Sequence, residues 1–271
     1  MLAYDPNISW QTFAEKTIAT DDLDPVYVAL YKSGMPEAML MRWCAAFVTY
    51  YHMGTACQLC TLEGDEFWTE LWTRYDTAPR ASERRHFRGE AGKRAIKSWI
   101  NTYGTPERFF GACMKPSFMG LVKDHPIQIG SYFTWKCMDL REAVFGYDVD
   151  WTGAEHHMVQ LPKQGLDIIF NVGEGAKIDY AAALLEVAEQ IQHLKAPPRY
   201  SRSCGVAEAE SVACMAKAYY NSRKPIGKDI VEKRNDLAGY GEIAEHILEC
   251  MPKDPKDEDM DDLRKNLHRE W

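Results

Sequence analysis

The sequence predicts an all-α fold, and three observations support this prediction. Apolar residues recur three and four positions apart through most of the 271 residues, which is the spacing of one face of an α-helix. A helix-start signal stands at Thr105, which is followed by Pro106. The one strand-like segment, residues 166–172 (LDIIFNV), is short and isolated, and a lone strand has no neighbour with which to form a sheet.

The first predicted helices are rich in aromatic residues. Residues 37–53 are apolar on almost every side, which is typical of a buried helix. Residues 65–75 have Phe67, Leu71 and Tyr75 four positions apart on one face. A third apolar stripe consists of Ala95, Ile96, Trp99, Ile100 and Tyr103.

The later helices follow a segment rich in Pro and Gly. Residues 179–195 have an apolar face, and residues 196–205 (APPRYSRSCG) are typical of a connection. The segments GVAEAESVACMAKAYY and GEIAEHILECM supply two more helices. We therefore expect a main helical body with a hairpin in residues 1–195 and a C-terminal helical part packed on it in residues 196–252. The charge-dense residues 253–271 are expected to be a solvated tail or a frayed helix.

The composition excludes several classes of protein. A hydrophobic fraction of 46% is typical of a globular chain, and no apolar run has the roughly 18–20 residues of a membrane span. The N-terminus shows no basic region followed by an apolar stretch, so we expect a cytoplasmic protein with reduced cysteines. A formal net charge of −8 argues against indiscriminate nucleic-acid binding but is compatible with a local basic patch.

Residues 125–140 (HPIQIGSYFTWKCMDL) have a glycine directly before a helix. Gly130 permits a tight turn, and the free N–H groups and dipole of the helix that follows can hold a phosphate. Lys136 and Asp139 lie on that helix, and Asp150 lies 20 residues after Gly130. The alternative is an ordinary packing joint between two helices.

A basic block interrupts the acidic chain. From Arg80 to Lys97 there are seven Lys or Arg and two Glu, which gives a local charge of +5. Such a block can contact DNA phosphates, and the planar fork of Arg suits a phosphate. The alternative is a solvated helix face. The sequence SERRHFRGE, with an aromatic residue and a glycine among the charges, favours a shaped loop.

Residues 50–60 (YYHMGTACQLC) suggest a helix end more than a metal site. Cys57 and Cys60 form a lone pair, and a structural zinc site needs two further ligands at suitable spacing, so we expect no metal. His52 and Thr55 could line a pocket, or His52 could simply cap a helix.

A dense polar turn occurs in residues 221–241. Asp229, Glu232 and Arg234 lie there, and helix capping with pairs four residues apart is the alternative to an active site. The pair Gly227-Lys228 lacks the rest of a P-loop. We therefore expect no nucleotide cofactor.

Four polar segments together resemble a phage family that hypermodifies thymine in DNA. The segments are YHMGTA, ERRHFRG, IGSYFTWKCMD and GKDIVEKR, and the resemblance covers roughly residues 40–252. The family comprises amino acid:DNA transferases, also called α-glutamyl/putrescinyl thymine pyrophosphorylases, and is related to the helical domain of 5-hydroxymethyluracil DNA kinases. Ser131 stands where that family usually has Pro, and Tyr132 where it usually has Trp.

The hairpin segment also resembles the helix-hairpin-helix DNA glycosylases. In those enzymes a glycine hairpin binds the DNA backbone, and an Asp about 20 residues downstream reaches the base. Gln128 replaces the first hairpin glycine, and Tyr132 stands where lyase-competent glycosylases have their lysine. The resemblance therefore implies a helix-hairpin-helix DNA glycosylase-like helical fold without lyase chemistry.

The resemblance implies a function in the cytoplasm of a phage-infected bacterium. A separate kinase would phosphorylate 5-hydroxymethyluracil in DNA, and this enzyme would displace the phosphate with the amine of a free amino acid, typically glycine. Because the chain lacks a P-loop, the transferase is favoured over the kinase. Two alternatives are a monofunctional glycosylase and a non-catalytic DNA-binding partner of the kinase.

We assign each candidate residue a role under this reading. Asp150 is the expected general base, with Asp139 second, and Lys136 or Arg234 could bind a donor carboxylate. The expected DNA or phosphate contacts are Arg84, Arg85, His86, Arg88, Gly130 and Tyr132. His52 completes the expected catalytic residues, and Thr55, Asp229, Glu232 and Arg234 are the expected substrate-binding residues.

Overall fold

A computed structural model of the chain describes residues 1–80, 87, 89–173 and 175–268. Within these residues the fold is all-α, as the sequence predicts, with two isolated bridges and no strands. The first eight α-helices are α1 (Trp10–Ala19), α2 (Pro25–Ser33), α3 (Glu37–Tyr50), α4 (Met53–Leu59), α5 (Gly64–Thr73), α6 (Gly89–Tyr103), α7 (Pro106–Cys113) and α8 (Phe118–Asp124). The others are α9 (Ser131–Asp139), α10 (Gln160–Ile169), α11 (Tyr180–Ile191), α12 (Val206–Ser222), α13 (Lys228–Leu237), α14 (Glu242–Cys250) and α15 (Met260–Leu267).

The chain divides into two compact units that are each discontinuous in sequence. Unit 1 comprises residues 1–28, 151–232 and 251–271, and unit 2 comprises residues 29–150 and 233–250. The divisions fall inside α2 and α13. The folding parts expected from the sequence, with boundaries at residues 196 and 253, stay predictions.

Unit 2 is built around aromatic side chains from successive helices. Trp99 on α6 lies between Phe87 and Phe109, with ring centroids 5.5 Å and 4.4 Å away and nearly parallel rings. Thr105 caps α7 by accepting from the Arg108 N–H at 3.3 Å, with Pro106 in the first turn, as the sequence predicts. Aromatic rings of this size bury large apolar areas, so this stack stabilises the unit that holds most of the predicted site.

Unit 1 depends on a close contact between α10 and α12. A Cβ atom added to Gly165 would lie 1.7 Å from the carbonyl oxygen of Ala213. Only a glycine therefore allows the two helices to approach as they do. Asp179 caps α11 by accepting from two backbone N–H groups.

The strand-like reading of residues 166–172 is wrong. Leu166, Asp167, Ile168 and Ile169 complete the last turn of α10, with Leu166 fully buried. The apolar residues of Gln160–Ile169 fit a helical face that packs on α12, and that tertiary contact overrides the β-propensity of two adjacent isoleucines.

The charged C-terminal segment forms a helix with a buried side. Met260 and Leu267, at the two ends of α15, are buried, and Arg264 forms an ion pair with Glu15, with the Nε atom 2.8 Å from a carboxylate oxygen. The Lys195 N–H donates to the Leu267 carbonyl at 3.0 Å. Among the described residues no helix is long and apolar enough to cross a membrane.

Candidate functional site

The segment YHMGTA forms the break between α3 and α4. Tyr51 ends α3 in a left-handed conformation, with a φ of 52°, and its N–H donates to the Phe47 carbonyl. His52 then caps α4, because its Nδ1 accepts from the Thr55 N–H at 3.1 Å. The Thr55 hydroxyl lies 3.1 Å from the same nitrogen, and Thr55 is buried. The cap therefore fixes the positions of Tyr51 and His52 at the surface of unit 2.

The start of α9 meets this break through two tyrosines. The Tyr132 hydroxyl donates to the Tyr51 hydroxyl at 2.8 Å, and the two ring centroids are 5.7 Å apart. Phe133 lies edge-on to Tyr51 at 5.6 Å. Two sequence segments that are 81 residues apart thus converge.

A third segment, at the end of α13 and after it, completes the group. Lys233 lies over the Tyr51 ring with Nζ 5.6 Å from the centroid, and it pairs with Asp236 at 3.2 Å. The Tyr240 ring lies 5.2 Å from the His52 ring. A Cβ atom added to Gly54 would lie 2.3 Å from the Tyr240 ring, so this glycine makes room for the tyrosine.

We call this group the tyrosine–histidine cluster. All of its members are partly exposed, so they can contact a ligand from solvent. The cluster consists of Tyr51, His52, Tyr132, Lys233, Asp236 and Tyr240.

The hydrogen bonds of His52 determine its protonation. Because Nδ1 accepts a backbone N–H, the proton of the neutral ring is on Nε2, which can then only donate. Burial lowers the pKa of His52, Asp236 raises it and Lys233 lowers it, and the outcome lies below the ordinary 6.5. His52 is therefore a neutral hydrogen-bond donor near neutral pH.

The hairpin between α8 and α9 has a different backbone from the one that the sequence suggests. Gly130 has a φ of −85° and caps α9, whereas Gln128 is the residue with a positive φ, 66°. The Trp99 Nε1 donates to the Ile127 carbonyl at 3.0 Å and fixes this turn on α6. The first N–H groups of α9 follow Gly130, and such groups at a helix start favour anions.

Lys136 and Asp139 form an ion pair inside unit 2. Their side chains are 3.2 Å apart and only 9% and 5% exposed. A π-helical turn, Leu140–Phe145, follows directly. Single π-turns are frequent at functional sites, and burying a pair of charges costs desolvation free energy.

Asp150 lies at the opposite end of α8 from Gly130. Its N–H donates to the Pro116 carbonyl and its carbonyl accepts from the Phe118 N–H, each at 2.9 Å. The seven residues of α8 rise by about 10 Å. The Asp150 side chain is exposed, so it is accessible to a ligand but is separate from Gly130 along the hairpin.

Part of the basic block, residues 81–86 and 88, lies outside the described residues. Arg84, Arg85, His86 and Arg88 are in that part of the chain, and their expected contacts stay predictions. Residues before and after it are anchored in unit 2. The Thr55 hydroxyl is 3.5 Å from the Pro79 carbonyl, and the Arg80 Nη1 donates to the Phe87 carbonyl at 2.5 Å.

The polar turn before and within α13 is a network around Lys224. The Lys224 Nζ donates to Asp229 at 2.6 Å and to Glu232 at 3.1 Å. Asp22, which the sequence analysis missed, is fully buried and caps α13 through the N–H groups of Gly227 and Ile230 at 2.7 and 3.0 Å. These contacts explain part of the turn as helix capping.

Arg234 forms a hydrogen bond with the end of a helix, because its Nη1 donates to the Leu248 carbonyl at 3.3 Å near the end of α14. Its neighbour Lys233 is the α13 residue that joins the cluster. The sequence predicted no role for Tyr51, Lys233, Asp236 and Tyr240, because nothing in their spacing indicates that they meet. His52, Thr55 and Tyr132 were predicted as site residues.

The cysteines within residues 29–150 of unit 2 are buried thiols. Burial raises the pKa of Cys57 to about 11, and the Trp43 Nε1 donates to its sulfur at 3.3 Å. In the part of the chain that the structure describes, no group of three or more His, Cys, Asp or Glu side chains could hold a metal ion.

Comparison with known proteins identifies the family. The family model described as amino acid:DNA transferase matches residues 9–223, which include three of the four recognised segments and end before GKDIVEKR. The chain is 31% identical over 256 residues to a putrescinyltransferase of Delftia phage PhiW-14, covering 90% of this chain and 83% of that protein. It is 28% identical over 284 residues to a glycinyltransferase of Pseudomonas phage PaMx11, covering 91% and 97%. The chain belongs to the amino acid:DNA transferase family and is an enzyme of that class.

Proposed function

We propose that this enzyme transfers the amine of a small donor, glycine in the first instance, onto phosphorylated 5-hydroxymethyluracil in DNA. The observation that carries the proposal is the tyrosine–histidine cluster, in which the segments YHMGTA and IGSYFTWKCMD meet the end of α13 in unit 2 of an amino acid:DNA transferase. The donor nitrogen forms a bond to the 5-methylene carbon of the base, and the bond from that carbon to the phosphate oxygen breaks. Phosphate leaves, and one further proton leaves the amine.

The target base is presented outside the helix stack of DNA. A base in duplex DNA is stacked and paired, so the enzyme flips the nucleotide or takes it from a single strand, at a cost of a few kcal/mol. Aromatic side chains can stack on any base, and Tyr51 and Tyr132 are the partly exposed aromatic residues of the cluster suited to this. Their hydroxyl-to-hydroxyl bond supports the orientation of both rings.

The hairpin and the basic block bind the DNA backbone and the departing phosphate. The N–H groups that follow Gly130 and the helix dipole of α9 favour a phosphate at this point. Arg84, Arg85, His86 and Arg88 supply positive charge for the same purpose. Stabilising the charge that develops on a leaving phosphate is often the largest contribution of a protein to such a reaction.

The amine needs a general base, because only the neutral amine attacks. Asp150 is the proposed base, since its carboxylate is exposed, and Asp139 is the second candidate. Asp139 is already neutralised by Lys136 in the interior, which suits a positioning role for the pair. His52 donates from Nε2 to the phosphate or to a carbonyl group of the base.

The proposal includes a supply of the phosphorylated substrate by another enzyme. Because the chain has no P-loop, the phosphorylated base comes from a separate kinase acting on the same DNA. We expect the enzyme to work in the cytoplasm of a phage-infected bacterium, where both the DNA and free amino acids are present.

The test is adduct formation on defined DNA. DNA that contains phosphorylated 5-hydroxymethyluracil is incubated with the protein and labelled glycine, digested to nucleosides and analysed by mass. We expect a nucleoside that carries the amino acid, and Asp150→Ala should abolish it. DNA with unphosphorylated 5-hydroxymethyluracil is the control and should give no adduct.

Three outcomes would contradict the proposal in different ways. An absence of adduct with every amino acid and polyamine would reject transfer to this base. Abasic sites revealed by heat and alkali would favour the glycosylase alternative. Unchanged turnover in Asp150→Ala would reject Asp150 as the base but not the reaction.

A further inference from the structure

We propose that Lys233 and Asp236 are the donor-binding pair of this enzyme and select an α-amino acid over a diamine. The proposal rests on the proposed function, because it names the donor class of the same site. Sequence reasoning assigned no role to either residue.

The position of Lys233 and Asp236 supports a role in donor binding. Lys233 and Asp236 are three residues apart on α13, so both lie on one face of this helix. The Lys233 ammonium lies over the Tyr51 ring, 5.6 Å from its centroid. Both side chains act on the charge state of His52, Asp236 by raising its pKa and Lys233 by lowering it. The pair is therefore adjacent to the tyrosine and the histidine of the cluster.

The Lys233 and Asp236 side chains are also accessible to a donor from solvent. The Lys233 and Asp236 side chains are 22% and 31% exposed, whereas Lys136 and Asp139 are 9% and 5% exposed. A donor can reach the former pair from solvent without opening the interior of unit 2. Arg234, the other cation considered for a donor carboxylate, donates to a backbone carbonyl of α14.

The charges of Lys233 and Asp236 are complementary to those of an α-amino acid. An α-amino acid is a zwitterion whose carboxylate and ammonium are joined through one carbon atom. Lys233 can exchange its contact with Asp236 for the donor carboxylate, and Asp236 can accept from the donor ammonium, so every charge keeps a partner. A diamine would satisfy Asp236 alone and would bring a second positive charge towards Lys233, which costs free energy. The pair therefore favours glycine over putrescine.

The experiment measures donor binding separately from turnover. Equilibrium dialysis of labelled glycine, ethanolamine and putrescine against the full chain with unmodified DNA gives the three dissociation constants. Ethanolamine has the size and amine of glycine without the carboxylate. We expect glycine to bind most tightly and Lys233→Met to weaken it about tenfold, because a hydrogen bond between two charged groups is lost at a partly exposed position. Binding of ethanolamine should not weaken, because Asp236 keeps its charge for the donor ammonium.

The controls separate a local charge effect from damage to the fold. Lys265→Met removes an equivalent lysine from a pair with Asp262, also three residues apart but on α15, and should leave all three constants unchanged. Lys233→Arg should retain glycine binding. Ethanolamine binding in Lys233→Met reports that the variant is folded.

Two results would overturn the inference. One is a wild-type enzyme that binds putrescine or ethanolamine as tightly as glycine. The other is an equal loss of glycine and ethanolamine binding in Lys233→Met. Because these constants are measured without turnover, glycine selectivity that depends on Lys233 would support the donor pair even if the adduct assay rejected the proposed reaction.

Discussion

At the scale of single residues, His52 has two separable tasks. Its Nδ1 caps α4 by accepting from the Thr55 N–H. Its Nε2–H is on the other side of the ring and is a hydrogen-bond donor. Asparagine can cap a helix but cannot supply the Nε2 donor. The sequence motif suggested both a pocket residue and a capping residue, and the observed geometry allows one side chain to be both.

Substitution of His52 should separate these tasks. We expect His52→Asn to keep the melting temperature near that of the wild type and to lower the adduct-forming rate at least tenfold, as for the loss of a hydrogen bond in a transition state. His52→Ala should lose the rate and also about 1 kcal/mol of helix-capping stability. Thermal unfolding and single-turnover adduct formation measure the two effects. Wild-type turnover in His52→Asn would remove the Nε2 donor from the mechanism.

Asp22 is a second residue with a marked electrostatic environment. Burial and the charge of Asp229 raise the pKa of Asp22 to about 7 from its ordinary 3.8, although the N–H groups of Gly227 and Ile230 and the charge of Lys224 oppose this. The folded state therefore holds a proton that the unfolded state releases near pH 4. The stabilising contribution of this group is complete below about pH 4 and is lost as the pH rises to about 7.

Asp229→Asn tests this linkage. Removing the Asp229 charge should lower the pKa of Asp22 and reduce the loss of stability between pH 4 and pH 7. Carboxyl-carbon NMR titration of Asp22 and melting temperatures across this pH range measure the two effects. The exposed Asp261→Asn is the matched control and should follow the wild-type pH profile. An unchanged Asp22 titration in Asp229→Asn would show that burial alone accounts for the shift.

At the scale of elements, apolar periodicity predicted α3, α5, α6, α11, α12 and α14, because packing and periodicity agree there. The helix that starts at Pro106 has its cap, Thr105, where the sequence predicts it. The segment LDIIFNV looks like a strand because of its local β-propensity, but its first four residues are helical because α10 packs on α12. The hairpin turn also differs from expectation, since Gln128 and not Gly130 has the positive φ, and a bond from Trp99 on α6 fixes the turn.

Gly165 is the residue on which the contact between α10 and α12 depends. We expect Gly165→Ala to lower the free energy of unfolding by about 1–3 kcal/mol, because the added methyl group meets the Ala213 carbonyl, which belongs to a helix backbone. Chemical denaturation measures the change. Gly111→Ala in α7 is the control, since a Cβ atom there meets nothing within 4 Å, and it should be neutral or stabilising by up to about 1 kcal/mol. Equal stability of the two variants would contradict the close contact.

At the scale of the whole molecule, an acidic chain of net charge −8 belongs to a family of enzymes that act on DNA. The global charge does not exclude this, because electrostatic fields act over about 8–10 Å in physiological salt and a basic block can act locally. Family membership also sets aside the alternative of a non-catalytic partner of the kinase.

The sequence by itself determined the all-α class, the family and three members of the cluster or its cap, His52, Thr55 and Tyr132. Those features depend on residue type and local spacing, which a sequence displays directly. Only the tertiary structure joined Tyr51 to Tyr132 and brought Lys233 over Tyr51. The physical reason is that these pairs are 81 and 182 residues apart, and the packing of helices, not the local spacing, decides which of their faces meet.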